Sequence, residues 1–261
     1  MLLALDVGNT EITIGLFTGD RLDVKWRLVT GSARTPDEWA ATLTSLITQA
    51  GISPAQIGAA VEASVAPAVT VVLAEGVEKA VGVRPRSVGP GSGLPIVLDV
   101  DEPLTVGADR VVNTLAAARL YQRDTIVVDF GTATSFDCIT KDGTFLGGVI
   151  APGLNTAADN LTQRAAKLPA TELVVPERVI GKRTEDCIRA GVLFGATDSV
   201  DGIVRRIKAE WPGGEVPLVV ATGGLVGMIA PLSSEIEKVE PDLTLRGLCI
   251  AAAELEISAQ R

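Results

Sequence analysis

Two segments of this chain share one pattern at a spacing of nearly half its length. Leu5-Asp6-Val7-Gly8-Asn9-Thr10 matches Val128-Asp129-Phe130-Gly131-Thr132-Ala133, and Asp129 follows Asp6 by 123 positions in a chain of 261. In each copy an apolar run ends in Asp, a Gly-containing turn with a hydroxyl residue follows, and a second apolar run continues. A turn at Gly19-Asp20 or Lys141-Asp142-Gly143 then leads into a third run. A lone Asp-x-Gly is common. A pattern repeated over about 20 residues at half the chain length argues for duplication. A single doubly wound sheet with a chance likeness is the competing explanation.

The segments between the copies read as an α/β chain. Residues 2–7, 12–18 and 22–29 are expected to form three strands, and 125–151 three more. Thr35-Pro36-Asp37-Glu38 opens a helix with Thr35 as N-cap, Pro36 at the first position and Glu38 completing a capping box. That helix ends near Gly51. A strand is expected near 57–64 and a helix after Pro67. Residues 82–107 are rich in Gly and Pro and read as loops. Helices are expected at 108–121, 153–167, 184–210, 224–230 and 244–258, with a strand at 217–221. The duplication divides the chain into 1–115 and 116–261.

Composition narrows the chemistry. The chain is 47% hydrophobic, enough for a sizeable core, with aromatics at only 3%. It has no histidine, which excludes Ser-His-Asp, Cys-His and His-ligated metal sites. Acid–base work near pH 7 falls to carboxylates or to groups with shifted pKa values. The net charge of −9 repels phosphodiester backbones, so no nucleic-acid partner is expected. Cys138, Cys187 and Cys249 form no CxxC pair and read as free thiols in a reducing compartment. The N-terminus lacks a basic n-region, and no apolar run approaches the roughly 20 residues that span a bilayer. A soluble, cytoplasmic protein without membrane partners is expected.

A glycine between an acid and a hydroxyl residue lets a turn present backbone N–H groups to a phosphate. Asn9, Thr10, Thr132 and Thr134 add side-chain donors. An Asp at the strand end would repel phosphate, so it acts through a cation or toward a hydroxyl. Each loop alone suits an ordinary β-turn; two in register suit a grip on ATP phosphates. Thr222-Gly223-Gly224 ends a strand and would let a purine or ribose approach the backbone, though such turns are common in α/β proteins. Gly107-Ala108-Asp109-Arg110 opens a helix. Asp109 suits either a general base facing a substrate hydroxyl, with Arg110 holding an anionic substrate, or a plain surface pair favoured by the helix dipole. Thr184, after Gly181-Lys182-Arg183, suits a helix cap that also reaches substrate.

These loops resemble those of the superfamily of actin, heat-shock ATPases and sugar kinases. Within it the chain is most similar to the type III pantothenate kinase family. The likeness runs through LALDVGNT, RTPDEWA at 34–40, VGADRVVN at 106–113, VVDFGTATSFD at 127–137, LGGVIAPG at 146–153, RAAKLP at 164–169, IGKRT at 180–184, ATGG at 221–224 and LTLRGL at 243–248. The resemblance implies two duplicated ribonuclease-H-like (actin-like ATPase) domains with an active-site cleft between them, and a homodimer. It implies transfer of phosphate from ATP to pantothenate, giving 4′-phosphopantothenate, the first step of coenzyme A biosynthesis. By motif, Asp6, Val7, Gly8, Asn9, Thr10, Glu11, Ile12 and Thr13 would hold ATP phosphates, with Asp6 near Mg²⁺ through water or phosphate. Thr132 would touch ATP, and Asp129 would bind a monovalent cation, potassium or ammonium. Asp109 would be the base, with Gly107, Ala108, Asp109, Arg110 and Thr184 contacting pantothenate.

Three positions depart from the family pattern. The first loop continues Glu11-Ile12, placing a negative charge beside the phosphates. Val100-Asp101-Glu102-Pro103 stands where the family usually has Tyr-x-Asn-Pro. Ser135 replaces a usual Thr. Glu11 and Val100 are what an alternative rests on, a catalytically weak homologue acting as a regulatory or binding protein.

Overall fold

The computed structural model describes residues 1–31 and 34–257. Near-continuous apolar runs become strands buried on both faces, as parallel strands under helices require. In chain order these are β1 (Leu2–Val7), β2 (Glu11–Thr18), β3 (Arg21–Val29), β4 (Ala59–Ser64), β5 (Arg86–Ser87), β6 (Val97–Leu98), β7 (Thr125–Phe130), β8 (Ala133–Ile139), β9 (Thr144–Pro152), β10 (Leu218–Thr222) and β11 (Lys238–Val239). The helices are α1 (Pro36–Gln49), α2 (Pro67–Val81), α3 (Ala108–Tyr121), α4 (Leu154–Arg164), α5 (Thr184–Glu210), α6 (Val226–Ile229) and α7 (Leu243–Glu254).

The chain forms two compact units. One is Met1–Leu120 with the segment from Leu243 onward; the other is Tyr121–Asp242. In the first, strands lie in the order β3-β2-β1-β4-β5. In the second, the order β9-β8-β7-β10-β11 repeats it. The pairing repeats too. β1–β2 and β2–β3 are antiparallel, as are β7–β8 and β8–β9, while β1–β4, β4–β5, β7–β10 and β10–β11 are parallel. The duplication read from two Asp-x-Gly loops is therefore a repeat of sheet topology.

In the first unit, α1 and α2 cover one face. Trp39, Leu43, Leu73 and Val77 pack there on Leu3, Leu5, Val7, Ile12 and Ile14. The other face carries Ala4, Val61 and Ala63 beneath Val112 and Leu115 of α3 and Leu245 and Leu248 of α7. The capping box at α1 forms as expected: the Thr35 side chain accepts the Glu38 N–H, and the Glu38 carboxylate accepts the Thr35 N–H at 2.7 Å. In the second unit, Ile126, Val128, Phe130 and Phe136 pack against Leu193, Val200 and Val204 of α5.

The division of the chain differs from the expected halves in its last helix. α7 packs in the first unit, although it follows the second in sequence. Gly247 makes this close packing feasible, since a Cβ there would stand 2.5 Å from the Val112 carbonyl oxygen. Thr244 donates to Asn113 Oδ1 at 2.9 Å, and Arg119 pairs with Glu254 at 2.8 Å. None of these long-range contacts leaves a local mark in the sequence. The α7 helix ends at Glu254 rather than running on, and residue 258 of the expected helix lies outside the described residues.

Candidate active site

In the first unit, β1, β3 and β4 run parallel, so their C-terminal ends lie along one edge. The loop after β1 is closed by Gly8 N–H donating to the Glu11 carbonyl at 3.0 Å. Glycine is required there for room, because a Cβ would stand 2.8 Å from that same oxygen. Thr30, just past β3, braces the loop twice. Its hydroxyl donates to the Gly8 carbonyl at 2.8 Å and its N–H to the Thr10 carbonyl at 2.9 Å. With those carbonyls held back, exposed Asn9 and Thr10 lead the loop outward. Val7 and Ile12 are fully buried, so only their main chains can serve a ligand.

Asp6 sits opposite Thr13 in the β1–β2 register, and directly opposed antiparallel residues point to the same face. Leu5 and Val7 face α1 and α2, so alternation turns Asp6 and Thr13 toward the α3 face. Val65, just past β4, donates its N–H to the Val7 carbonyl at 3.0 Å. Its Cγ1 lies 3.5 Å from where a Gly107 Cβ would be. These contacts bring the start of α3, with Gly107, Ala108, Asp109 and Arg110, to the end of the sheet that carries the loop after β1. Ala108 is buried and belongs to the core.

The Asp109 carboxylate is desolvated. Burial raises its pKa above the ordinary carboxylate value, against the Arg110 N–H bond at 2.8 Å and the Arg110 charge, which lower it. A surface pair would lack that burial. Desolvation brings a carboxylate closer to the basicity that proton abstraction needs.

Glu11 is paired with Arg27 of β3. Its charge is therefore neutralised within the sheet and does not stand alone beside the loop. The register explains why sequence reasoning missed this. Thr18 pairs Arg21 and Phe17 pairs Leu22, but a bulge between Leu16 and Phe17 shifts the ladder so that Glu11 pairs Val29. Extended without the bulge, the hairpin would place Arg27 on the face of Ile12. With it, Trp26 and Leu28 face the core while Arg27 and Glu11 share the other side. The same shift sets Thr30 against Thr10.

In the second unit, Asp129, one residue before the end of β7, lies opposite Ser135, the counterpart of Asp6 opposite Thr13. The glycine expected to admit a purine or ribose does something closer to home. Gly223 has φ +95, and a Cβ there would strike Asp129 Oδ1 and stand 2.6 Å from the Phe130 nitrogen. A Cβ at Gly153 would stand 2.6 Å from the Gly131 carbonyl and strike the Thr132 carbonyl, and Thr156 Oγ1 donates to that carbonyl at 2.7 Å. The Thr132 side is exposed. Thr184 is exposed, but it is not the cap of α5. Arg183 holds that position, with no side-chain cap bond, because the chain turns helical one residue earlier than the Thr-cap pattern implies.

Among the described residues, no cluster of three or more Cys, Asp or Glu side chains could hold a metal, and no helix is long and apolar enough to cross a membrane. Cys138, Cys187 and Cys249 form no disulfide among the described residues.

A family model described as type III pantothenate kinase matches residues 2–206. The type III pantothenate kinase of Moorella thermoacetica is 48% identical over 252 residues, covering 96% of this chain and 98% of that one. Among solved structures, a conserved protein of Campylobacter jejuni described as a Baf family transcriptional activator superposes with a TM-score of 0.60 at 17% identity, over 97% of this chain and 98% of the other. A protein of Sinorhizobium meliloti carrying the name 2-dehydro-3-deoxygalactonokinase gives 0.57 at 15%, over 97% and 96%. At these identities the two structures speak for the fold alone.

Proposed function

The chain belongs to the type III pantothenate kinase family, and from that premise we propose how its residues divide the work. The reaction is ATP-dependent phosphorylation of pantothenate to 4′-phosphopantothenate, which opens coenzyme A biosynthesis. The observation that carries the residue assignment is the half-buried, desolvated carboxylate of Asp109 at the phosphate-loop end of the first sheet.

Phosphoryl transfer needs positioning and charge neutralisation more than covalent chemistry. Asn9, Thr10 and the main chain from Val7 to Thr13 cradle the ATP phosphates. Asp6 and Thr13 point to the face on which α3 begins. Asp109 orients the pantothenate hydroxyl and takes its proton as the new P–O bond forms and the bond to ADP breaks. Arg110 holds the pantothenate carboxylate, and Thr184 makes a further contact. Mg²⁺ fits this donor set. It tolerates one protein carboxylate nearby when phosphate oxygens and waters complete the shell, and Asp6 offers that carboxylate, through water or phosphate. When bound, it neutralises charge on the transferring phosphoryl group. A monovalent cation suits Asp129, where Gly223 puts no side chain against Oδ1; Thr132 lies beside it on the loop.

We further place the enzyme in the cytoplasm, where ATP and reduced thiols coincide, and as a homodimer. Exposed Val179 and Ile180 beside Thr184, and a groove of about 650 Å³ lined by Leu154, Leu161, Arg164, Gly191 and Gly195, support a partner copy. Sedimentation at micromolar concentration tests this; a monomer throughout would contradict it.

The test of the reaction is a coupled ADP assay with pantothenate, with and without Mg²⁺ and K⁺. Pantothenate-dependent ADP formation is expected. Asp109→Asn is expected to lower kcat by about 100- to 10,000-fold. Near-normal turnover in that variant would remove Asp109 from the role of base.

A further inference from the structure

Gly107 precedes the helix that carries Asp109, and its backbone is not in the left-handed region. Glycine is therefore not needed there for its φ. A Cβ at Gly107 would stand 2.5 Å from Asp109 Oδ1 and 3.6 Å from its Cγ. Real Cβ atoms do not approach an oxygen so closely, so the carboxylate occupies the space a side chain would fill. Behind it, the Val65 Cγ1 lies at 3.5 Å and closes the niche. Oδ1 is held in place by the Arg110 N–H at 2.8 Å. A second backbone hydrogen bond, from the N–H of Asp109 itself, also reaches the carboxylate.

We infer that Gly107 is a positioning residue for Asp109: its missing side chain is the niche into which the carboxylate folds, and this niche sets how the carboxylate faces the pantothenate hydroxyl. The inference rests on Asp109 being the base. It differs from a role in which Gly107 acts by touching pantothenate, because it acts on the proton-accepting group and not on substrate affinity.

Gly107→Ala leaves the backbone conformation accessible but evicts the carboxylate. A displacement of about 1 Å in a reacting group lowers turnover by about 100-fold. The variant is therefore expected to lose about 10- to 100-fold in kcat, with the pantothenate Kd by calorimetry within about twofold of wild type. Expelling the carboxylate from its desolvated niche should also move the acid limb of kcat/KM down toward the ordinary carboxylate range. Gly107→Ala should lower Tm in the wild-type background and leave it nearly unchanged in an Asp109→Ala background, where the clash partner is gone. That cycle is readable even if turnover is lost. Normal kcat with an unmoved acid limb would overturn the inference. So would a loss confined to pantothenate affinity, or an equal Tm penalty in both backgrounds. A wild-type enzyme without pantothenate-dependent ADP formation would instead overturn the reaction assignment, and the Tm cycle would still report on the niche.

Discussion

The loop after β1 and the loop after β7 grow from the same strand order, yet they use their backbone groups in different ways. Gly8–Glu11 lies between paired Val7 and Ile12, whereas only Gly131–Ala133 lies between paired Phe130 and Thr134. Both close on a glycine N–H, to Glu11 in one and Ala133 in the other, each at 3.0 Å. The first loop has its carbonyls held back by Thr30, and its acid, Glu11, is paired with Arg27. The second is walled by two glycines, one against its carbonyls and one against the Asp129 carboxylate. Duplication supplied the frame. The extra residue and the differing braces leave one copy with exposed Asn9 and Thr10 and the other with a tightly packed carboxylate.

The largest effects should come from the strand-end acids, and they should differ in kind. Asp6→Asn is expected to lower kcat by about 100-fold or more, since charge neutralisation at the phosphoryl group is the main task. Asp129→Asn should act mainly on the response to K⁺. Equal losses in every parameter would erase the distinction between the loops.

Gly223→Ala comes next. It combines a strained φ of +95 with a clash against Asp129 and Phe130, so a cost of about 2–4 kcal/mol is expected by chemical denaturation. Gly8→Ala meets a single carbonyl at 2.8 Å without left-handed strain, so about 1–2 kcal/mol is expected. The reverse order would mean that the second loop is less tightly braced than its contacts indicate.

pH should separate function from stability at Asp109. Burial raises its pKa in the folded state. The base form is lost as pH falls through that raised value, so the acid limb of kcat/KM should lie above the ordinary carboxylate range. For stability the sign is opposite. The folded state holds the proton more tightly than the unfolded chain, so the ionised carboxylate costs stability at neutral pH and the cost disappears as pH falls. Asp109→Asn should therefore melt no lower than wild type at pH 7. A clearly lower Tm would indicate that the carboxylate stabilises the start of α3.

The smallest effect should be at Arg27. Both partners are substantially exposed, with side-chain accessibilities of 49% and 37%, so Arg27→Ala should cost at most about 1 kcal/mol. It should nonetheless raise the KM for ATP a few-fold by freeing the Glu11 charge, and Glu11→Gln in the same chain should restore it. An unchanged KM would place Glu11 too far from the phosphates to matter.

Much of this was legible in the sequence. The capping box at Thr35–Glu38, the strand triplets and the acid at the start of α3 each carry a local signal. What the sequence hid depends on register and on long-range packing. The bulge at Leu16/Phe17 decides that Arg27 answers Glu11 and that Thr30 braces the loop, and no residue pattern marks it. The place of α7 depends on Gly247 meeting Val112 across most of the chain length. Gly223 looked like a ligand's approach because a glycine reports only that something comes close. Here that neighbour is Asp129.

The division of labour between the loops is tested most directly by titrating turnover against K⁺ and MgATP in wild type, Asp6→Asn and Asp129→Asn. Asp129→Asn is expected to raise the half-saturating K⁺ while leaving the KM for MgATP within about threefold, and Asp6→Asn to do the reverse. If both variants shift the same parameter, or if wild-type turnover does not depend on K⁺, the two loops do not have separate roles.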